Sequence, residues 1–308
     1  MENINNISLC ICVFVFNSLF TLHHNSEIRM LVIKEAEELK SIIAKEKSDE
    51  KVIGFVPTMG ALHEGHLSLV EKAGQETDYV VVSIFVNPTQ FNDKDDLRNY
   101  PRDIPRDLEL LEATNCQLVF APEVETMYPE PDIRQFNFGQ LEQVMEGKFR
   151  PGHFNGVAQV VSRLFYMVDP DKAFFGQKDF QQLVIIRSMT RQLNLSVEII
   201  SCPIIREADG LAKSSRNARL TDEQRAHAPH IFHTLNAAIG KTEEMSVAEI
   251  KQWVVNEIDK DPFLRTEYFE IIDDETLQSV CCWNSSVKKI GCIAVFCGKI
   301  RLIDNIVF

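Results

Sequence analysis

Between residues 51 and 201, short and almost wholly apolar runs alternate with segments whose apolar residues recur at helical spacing. Tyr79-Val80-Val81-Val82-Ser83-Ile84-Phe85-Val86 is the strongest of the runs. Its β-branched and aromatic residues leave no polar face, so both sides of the strand must be covered. The same reading expects strands at 51–57, 116–121, 172–175 and 196–201. It expects helices at 34–47, 66–75, 103–113, 157–168 and 179–193. Strands alternating with helices predict an α/β fold, a doubly wound parallel sheet of Rossmann-like type.

After about residue 206 the pattern changes. Thr221-Asp222-Glu223-Gln224 and Ser246-Val247-Ala248-Glu249 fit capping boxes and mark two helix starts. Strand-like stretches follow at 268–272, 290–296 and 300–303. The expected division is an N-terminal extension over 1–29, a nucleotide-binding domain over 30–205, and a smaller α+β lid domain over 206–308. The stretch Ile7–Leu22 is apolar but has only Glu2 as a charge before it, so the basic region of a signal peptide is missing. It is also short for a membrane span. Met30, which opens an amphipathic pattern, is the expected functional start, or 1–29 is a dispensable extension. A cytoplasmic location follows.

With 45 acidic and 32 basic residues the net charge is −13, which disfavours sequence-independent binding to nucleic acid. A small anion remains compatible with that charge, because local cations and helix N-termini can hold one. The cysteines Cys10, Cys12, Cys116, Cys202, Cys281, Cys282, Cys292 and Cys297 form no CxxC pair. The last four have no nearby histidine and fall among strand-like residues, so they are expected to behave as reduced, buried apolar side chains.

Four segments carry chemistry. Pro57-Thr58-Met59-Gly60-Ala61-Leu62-His63-Glu64-Gly65-His66 follows the first long strand and opens a helix, the place where α/β sheets bind ligands. Gly60 and Gly65 permit close backbone approach, and free N–H groups there suit phosphate oxygens. His63 and His66, three apart, are expected on one helical face, where two imidazoles can donate to a polyphosphate. The histidine spacing is one short of a zinc-protease helix, and no Walker loop is present; two surface histidines on a capped helix are the plain alternative.

Gly210-Leu211-Ala212-Lys213-Ser214-Ser215-Arg216-Asn217 offers a flexible, donor-rich phosphate clamp, or else a solvated basic loop. Phe175-Gly176-Gln177-Lys178-Asp179-Phe180-Gln181-Gln182 places Lys178 and Gln182 at a helix start. Phe85-Val86-Asn87-Pro88-Thr89-Gln90-Phe91 ends a strand with neutral amides suited to hydroxyls or a carboxylate.

These segments, with NYPRD, MEGKFRPGHFNGV and RLIDN, resemble the pantothenate synthetase (pantoate–β-alanine ligase) family, in the family's order and over nearly all of 30–308. The resemblance implies that pantoate is adenylated by ATP and that β-alanine then displaces AMP, with Mg2+ shielding the phosphates. It implies an ATP site of Met59, Gly60, Ala61, Leu62, His63, Glu64, Gly65, His66, Gly176, Gln177, Lys178, Asp179, Ile205, Lys213, Ser214, Ser215 and Arg216. His66, His63 and Lys178 would assist the chemistry. Gln90 and Gln182 would hold pantoate, and Gln90 would border β-alanine. Lys213 stands where some members carry a hydrophobic residue. Arg150 and His153 lie in a family stretch without an assigned step, and no metal ligand is named. The expected assembly is a homodimer acting on small molecules, with neither a membrane nor a nucleic-acid partner. A nucleotidyltransferase sharing the His-x-x-His turn and a nucleotide-binding regulatory module are the competing readings.

Overall fold

The apolar run at Tyr79 lies where a strand without a polar face must lie, inside a sheet. In the computed structural model, which describes residues 30–92, 94–285 and 287–308, it forms β3 (Tyr79–Ile84), buried along its whole length. Its sheet also contains β1 (Leu31–Ile33), β2 (Ile53–Thr58), β4 (Leu118–Phe120), β5 (Lys172–Gly176) and β6 (Glu198–Cys202). All neighbours are parallel, in the order β1-β4-β3-β2-β5-β6. The expectations for 1–29, with Cys10 and Cys12, lie outside the described residues.

Successive residues of a strand point to opposite faces, and two cores result. Phe55 packs with Leu39 and Ile43 of α1 (Ala36–Ser48), and with α7 (His153–Val168) and α8 (Phe180–Gln192). Val56 packs on the other face with Leu69, Val70 and Ala73 of α2 (Glu64–Glu76) and Leu111 of α4 (Ile104–Glu112). Short helices α3 (Lys94–Arg98), α5 (Val124–Met127) and α6 (Met145–Phe149) fill the connections. The chain leaves β2 for β3 and β4 on one side, then returns to lay β5 on the other. That reversal puts the crevice beyond the carboxyl ends of β2 and β5, where doubly wound sheets bind ligands.

The second sheet is antiparallel, β7 (Leu264–Asp273), β8 (Lys289–Cys297) and β9 (Ile300–Val307) in that order. After α9 (Asp222–His227), α10 (His230–Ile239) and α11 (Val247–Asp259) pack on it through Leu235, Ile250, Val254, Ile271 and Val295. Both expected capping boxes form, at Thr221 with Gln224 and at Ser246 with Glu249.

Three expectations need correction. The helix expected from Val157 begins at His153, because Gly152 turns the chain at φ +80° immediately before it. The set of expected strands gains one at the sheet edge, since Leu31–Ile33 pair with β4. Cys281 and Cys282 are exposed between β7 and β8, whereas Cys292 and Cys297 are buried in β8; all six described thiols are free. Among the described residues no helix is long and apolar enough to cross a membrane.

Candidate active site

The loop leaving β2 is held from below. Gly60 (φ +76°) and Ala61 (φ +50°) both take left-handed conformations. A Cβ at Gly60 would meet Asp107 Oδ2 at 2.8 Å, so the close approach and the turn both require glycine. Asp107, buried on α4, accepts the N–H groups of Ala61 at 2.9 Å and Leu62 at 2.7 Å. Burial raises its carboxyl pKa, and these two bonds work against that rise. Nothing in the local sequence marks Asp107, 46 residues after Ala61, as part of this loop.

His63 is the N-cap of α2, and its ring accepts the Gly65 N–H at Nδ1, 3.1 Å away. His66 accepts the His63 N–H at its own Nδ1, 3.3 Å away, and the ring centroids lie 4.1 Å apart. A backbone N–H can only donate, so both Nδ1 atoms are unprotonated and each neutral ring carries its proton on Nε2. Burial, reinforced by Lys178, lowers the His63 pKa to about 4. Burial, then His63 and Lys178, lowers that of His66 to about 3. The pair therefore offers two neutral Nε2–H donors. This corrects the expectation of free amides: the N–H groups of Ala61, Leu62, Gly65 and His66 are all committed within the protein.

At the end of β5 a single 3-10 turn, Gln177–Asp179, leads into α8. Lys178 Nζ lies 3.2 Å from Asp179. Asn305 of β9 holds the turn by donating to the carbonyls of Gln177 and Lys178.

The segment after β6 forms a hairpin, closed by the Arg206–Ala212 bridge and by Lys213 N–H to Ile205 O at 2.9 Å. Lys213 Nζ binds Glu64 at 2.8 Å and Glu207 at 3.0 Å, so it ties the hairpin to the histidine loop. Ser214 caps a 3-10 helix over Ser215–Arg219. Arg216 and Arg219 share the two oxygens of Asp96. Burial opposes the ionisation of Asp96, yet the two guanidinium groups hold its carboxyl below the usual range. Sequence reasoning missed Asp96 and also Tyr100, whose hydroxyl lies 3.5 Å from Ser215 Oγ.

Gln90 is a fixed amide. Its Oε1 accepts from Asn87 Nδ2 at 3.2 Å, its Nε2 faces Met59 Sδ at 2.9 Å, and its carbonyl accepts from His153 Nδ1 at 2.8 Å. Arg150 reaches the same carbonyl at 3.4 Å. His153 thereby gains a concrete place, as support for Gln90; burial, then Arg150, lowers its pKa to about 4.

These segments surround one cleft. Met59, His63, Gly65 and His66 line it from the first loop, with Gln90 beside them. Gly176, Lys178, Asp179 and Gln182 face them from β5 and α8, and Ile205 with Lys213, Ser214, Ser215 and Arg216 closes the third side. Gly60, Ala61, Leu62, Glu64 and Gln177 are not among the lining residues. Val157, Val160, Val161 and Leu164 give the cleft an apolar wall.

A switch-point crevice with neutral imidazole donors and three cations facing two amides defines an α/β enzyme site for a nucleotide and a small polar acid. The family model for pantoate-beta-alanine ligase matches residues 31–307. The pantothenate synthetase of Phocaeicola vulgatus is 54% identical over 278 residues, covering 90% of this chain and 99% of that one. That of Bacteroides fragilis is 54% identical over 277 residues, covering 90% and 98%. The crystal structure of pantothenate synthetase from Thermus thermophilus superposes with a TM-score of 0.84 at 43% identity, over 90% of this chain and 99% of that one. The pantoate-beta-alanine ligase of Francisella tularensis, complexed with beta-gamma ATP and beta-alanine, gives 0.75 at 33%, over 90% and 97%. The chain belongs to the pantoate–β-alanine ligase family.

Proposed function

We propose that this protein condenses pantoate with β-alanine to give pantothenate, using ATP and passing through pantoyl-adenylate. The observation that carries the reading is the convergence of the two Nε2–H imidazoles, Lys178 and Ser214–Arg216 on one cleft that also presents Gln90 and Gln182. A carboxylate is a poor acyl donor because oxide would have to leave. Attack of pantoate's carboxylate oxygen on the α-phosphorus expels pyrophosphate and leaves an acyl group whose departing partner is AMP. The amine of β-alanine then attacks the acyl carbon, AMP leaves, and no nucleophilic side chain is needed.

In the first step negative charge grows on the phosphate oxygens. His63 and His66, fixed by their backbone bonds, donate from Nε2 as it grows, and Lys178 adds a positive charge. Gln90 and Gln182 orient pantoate through neutral amides, which leave its carboxylate nucleophilic. The valine-rich wall suits pantoate's two methyl groups, and Gln90 borders the β-alanine position. Met59, Gly176, Asp179, Ile205, Ser214, Ser215 and Arg216 enclose the nucleotide. Gly60, Ala61, Leu62, Glu64 and Gln177 act as its frame, and Lys213 acts mainly as the tie to Glu64.

Among the described residues no group of three or more His, Cys, Asp or Glu is arranged to hold a metal. A Mg2+ would be held by the substrate's phosphates and waters, with Asp179 the carboxylate at hand in the cleft, and would shield phosphate charge.

A homodimer in the cytoplasm, with 30–205 binding the nucleotide and 206–308 serving as its lid, completes the proposal. The test is pantoate-dependent exchange of pyrophosphate into ATP, followed by AMP release on adding β-alanine. Exchange driven only by a phosphorylated acceptor would favour a nucleotidyltransferase. ATP binding without any exchange would favour a regulatory module.

A further inference from the structure

β9 carries two consecutive buried polar residues, Asp304 and Asn305, in a sheet whose other buried polar side chain, among the described residues, is Lys289 at the start of β8. Both side chains leave their own sheet. Asn305 Nδ2 donates to the backbone carbonyls of Gln177 at 2.8 Å and Lys178 at 3.0 Å. Those carbonyls belong to the single 3-10 turn between β5 and α8, and so to the backbone from which Lys178 enters the cleft.

Asp304 accepts both arms of Arg206, at 2.6 and 3.0 Å, and takes the N–H of Asn305 at 2.7 Å. Arg206 in turn donates to Gly210 O at 3.1 Å and closes the hairpin that ends in Lys213. Its guanidinium also sits 4.3 Å over the ring centroid of Phe232. One dipeptide thus fastens two segments that line the same cleft and that are not neighbours in the chain.

We infer that the Asp304–Asn305 step of β9 positions both cationic sides of the cleft, Asn305 acting through Lys178 and Asp304 acting through Arg206 on the hairpin. The inference rests on the ligase reading for the chemistry it serves. The residue types fit the task. An amide has two N–H bonds to give to two carbonyls, whereas a carboxylate has none and would face both oxygens with a negative charge. A carboxylate matches a guanidinium through two parallel bonds, which fix direction as well as distance. Without these ties the turn and the hairpin keep their sequence and lose their shared reference.

The isosteric variant Asn305→Asp tests this, with Asn305→Ser alongside it, because serine adds no charge and little bulk. ATP affinity is measured calorimetrically, and pantoate-dependent exchange is measured separately from aminolysis of synthetic pantoyl-adenylate by β-alanine. Asn305→Asp should slow exchange on the order of 10²-fold, the cost of displacing a reacting group by a fraction of its reach. KM for pantoate and the rate of aminolysis should stay near wild type. Added to Lys178→Ala, Asn305→Asp should cost little more in exchange or in ATP affinity, since both changes remove one contribution. Fully additive losses, equal slowing of both half-reactions, or exchange at the wild-type rate would overturn the assignment. If Asn305→Asp fails to fold, Asn305→Ser must give the same non-additive pattern with Lys178→Ala, and additivity there is equally fatal. Should the wild-type chain bind ATP but show no exchange, the ligase reading falls, while the ATP-affinity cycle still decides the role of Asn305.

Discussion

His66 accepts the backbone N–H of His63 at its Nδ1, so the second imidazole of the pair orients the residue that carries the first. His63 does the same for Gly65. The two rings cap α2 through Nδ1 and line the cleft, where the proposed reaction uses Nε2 as the donor. Each function occupies one nitrogen, and the hydrogen bond at Nδ1 decides which nitrogen faces the substrate. The rings meet because an N-cap and an N3 residue cap reciprocally, a geometry different from two side chains sharing a helical face.

His66→Asn separates those functions. Asparagine also accepts a backbone N–H near a helix start, so unfolding should stay close to wild type. The donor at the Nε2 position is lost, and adenylation should slow by about 10²–10³-fold. His66→Ala loses the cap as well and should cost about 1 kcal/mol of stability on top of that rate loss. Thermal unfolding and pyrophosphate exchange on the same samples check both. A wild-type rate in His66→Asn would remove the ring from the chemistry.

The lowered pKa values fix a pH dependence. His63 and His153 titrate at about 4 and His66 at about 3 in the folded protein, against 6.5 when unfolded. Between those values the unfolded chain binds protons that the folded chain does not, so stability falls as pH drops from about 6.5 toward 4 and is untouched above that window. Urea titrations at pH 7.5, 6 and 5 should show a progressive loss that His66→Asn reduces. Because these rings act as neutral donors, free-enzyme kcat/KM for exchange should show no inflection near 6.5 that disappears in His66→Asn.

Lys178→Ala and Gln90→Ala should separate by substrate. Lys178 faces the cleft on the proposed phosphate side, and its loss should slow adenylation on the order of 10²–10³-fold while folding is retained. Gln90, held by Asn87 and His153, should affect KM for pantoate more than KM for ATP. Steady-state kinetics with each substrate varied would decide; the reverse ordering would move Gln90 out of the acid pocket.

The segments that line the cleft could be picked out in the sequence because each sits at a strand end with its chemistry concentrated in a few residues. Met59 to His66, Gly176 to Gln182 and Lys213 to Arg216 all fall at the carboxyl end of a strand or soon after one. The residues that hold them could not be picked out that way. Asp107 grips Ala61 from 46 positions away, and Asn305 grips Lys178 from 127. A single aspartate or asparagine has no local pattern, and only the packing of α4 and β9 against the parallel sheet gives it a partner. The free amides expected at the helix start failed for the same reason, since neither the distant carboxylate that takes Leu62 nor the ring turned back on Gly65 is visible in spacing.

Arg301 of β9 and Glu146 of α6 make a further long-range link, and their burial gives it a sharp test. Arg301 reaches both oxygens of Glu146, at 2.8 and 2.7 Å, and also binds Glu267; the Tyr268 hydroxyl donates to Glu146 at 2.8 Å. Burial works against the ionisation of Glu146, but Arg301, with Tyr268 and Arg150, together outweigh it, so its carboxyl lies below the usual range. Arg301→Met leaves that carboxylate buried with its main counter-charge gone, which should cost about 3–5 kcal/mol. Glu146→Gln in the same chain removes the stranded charge and should recover part of the loss. The sign of the pH effect follows. In Arg301→Met the folded-state pKa of Glu146 rises above its unfolded value of 4.5, so the penalty is present in full at neutral pH and shrinks as acid protonates the carboxyl. Urea unfolding at pH 7.5 and pH 5 should therefore show the gap between Arg301→Met and wild type narrowing in acid. A gap that stays constant or widens would mean that Arg301 contributes by packing its stem against the parallel-sheet layer, with its charge immaterial.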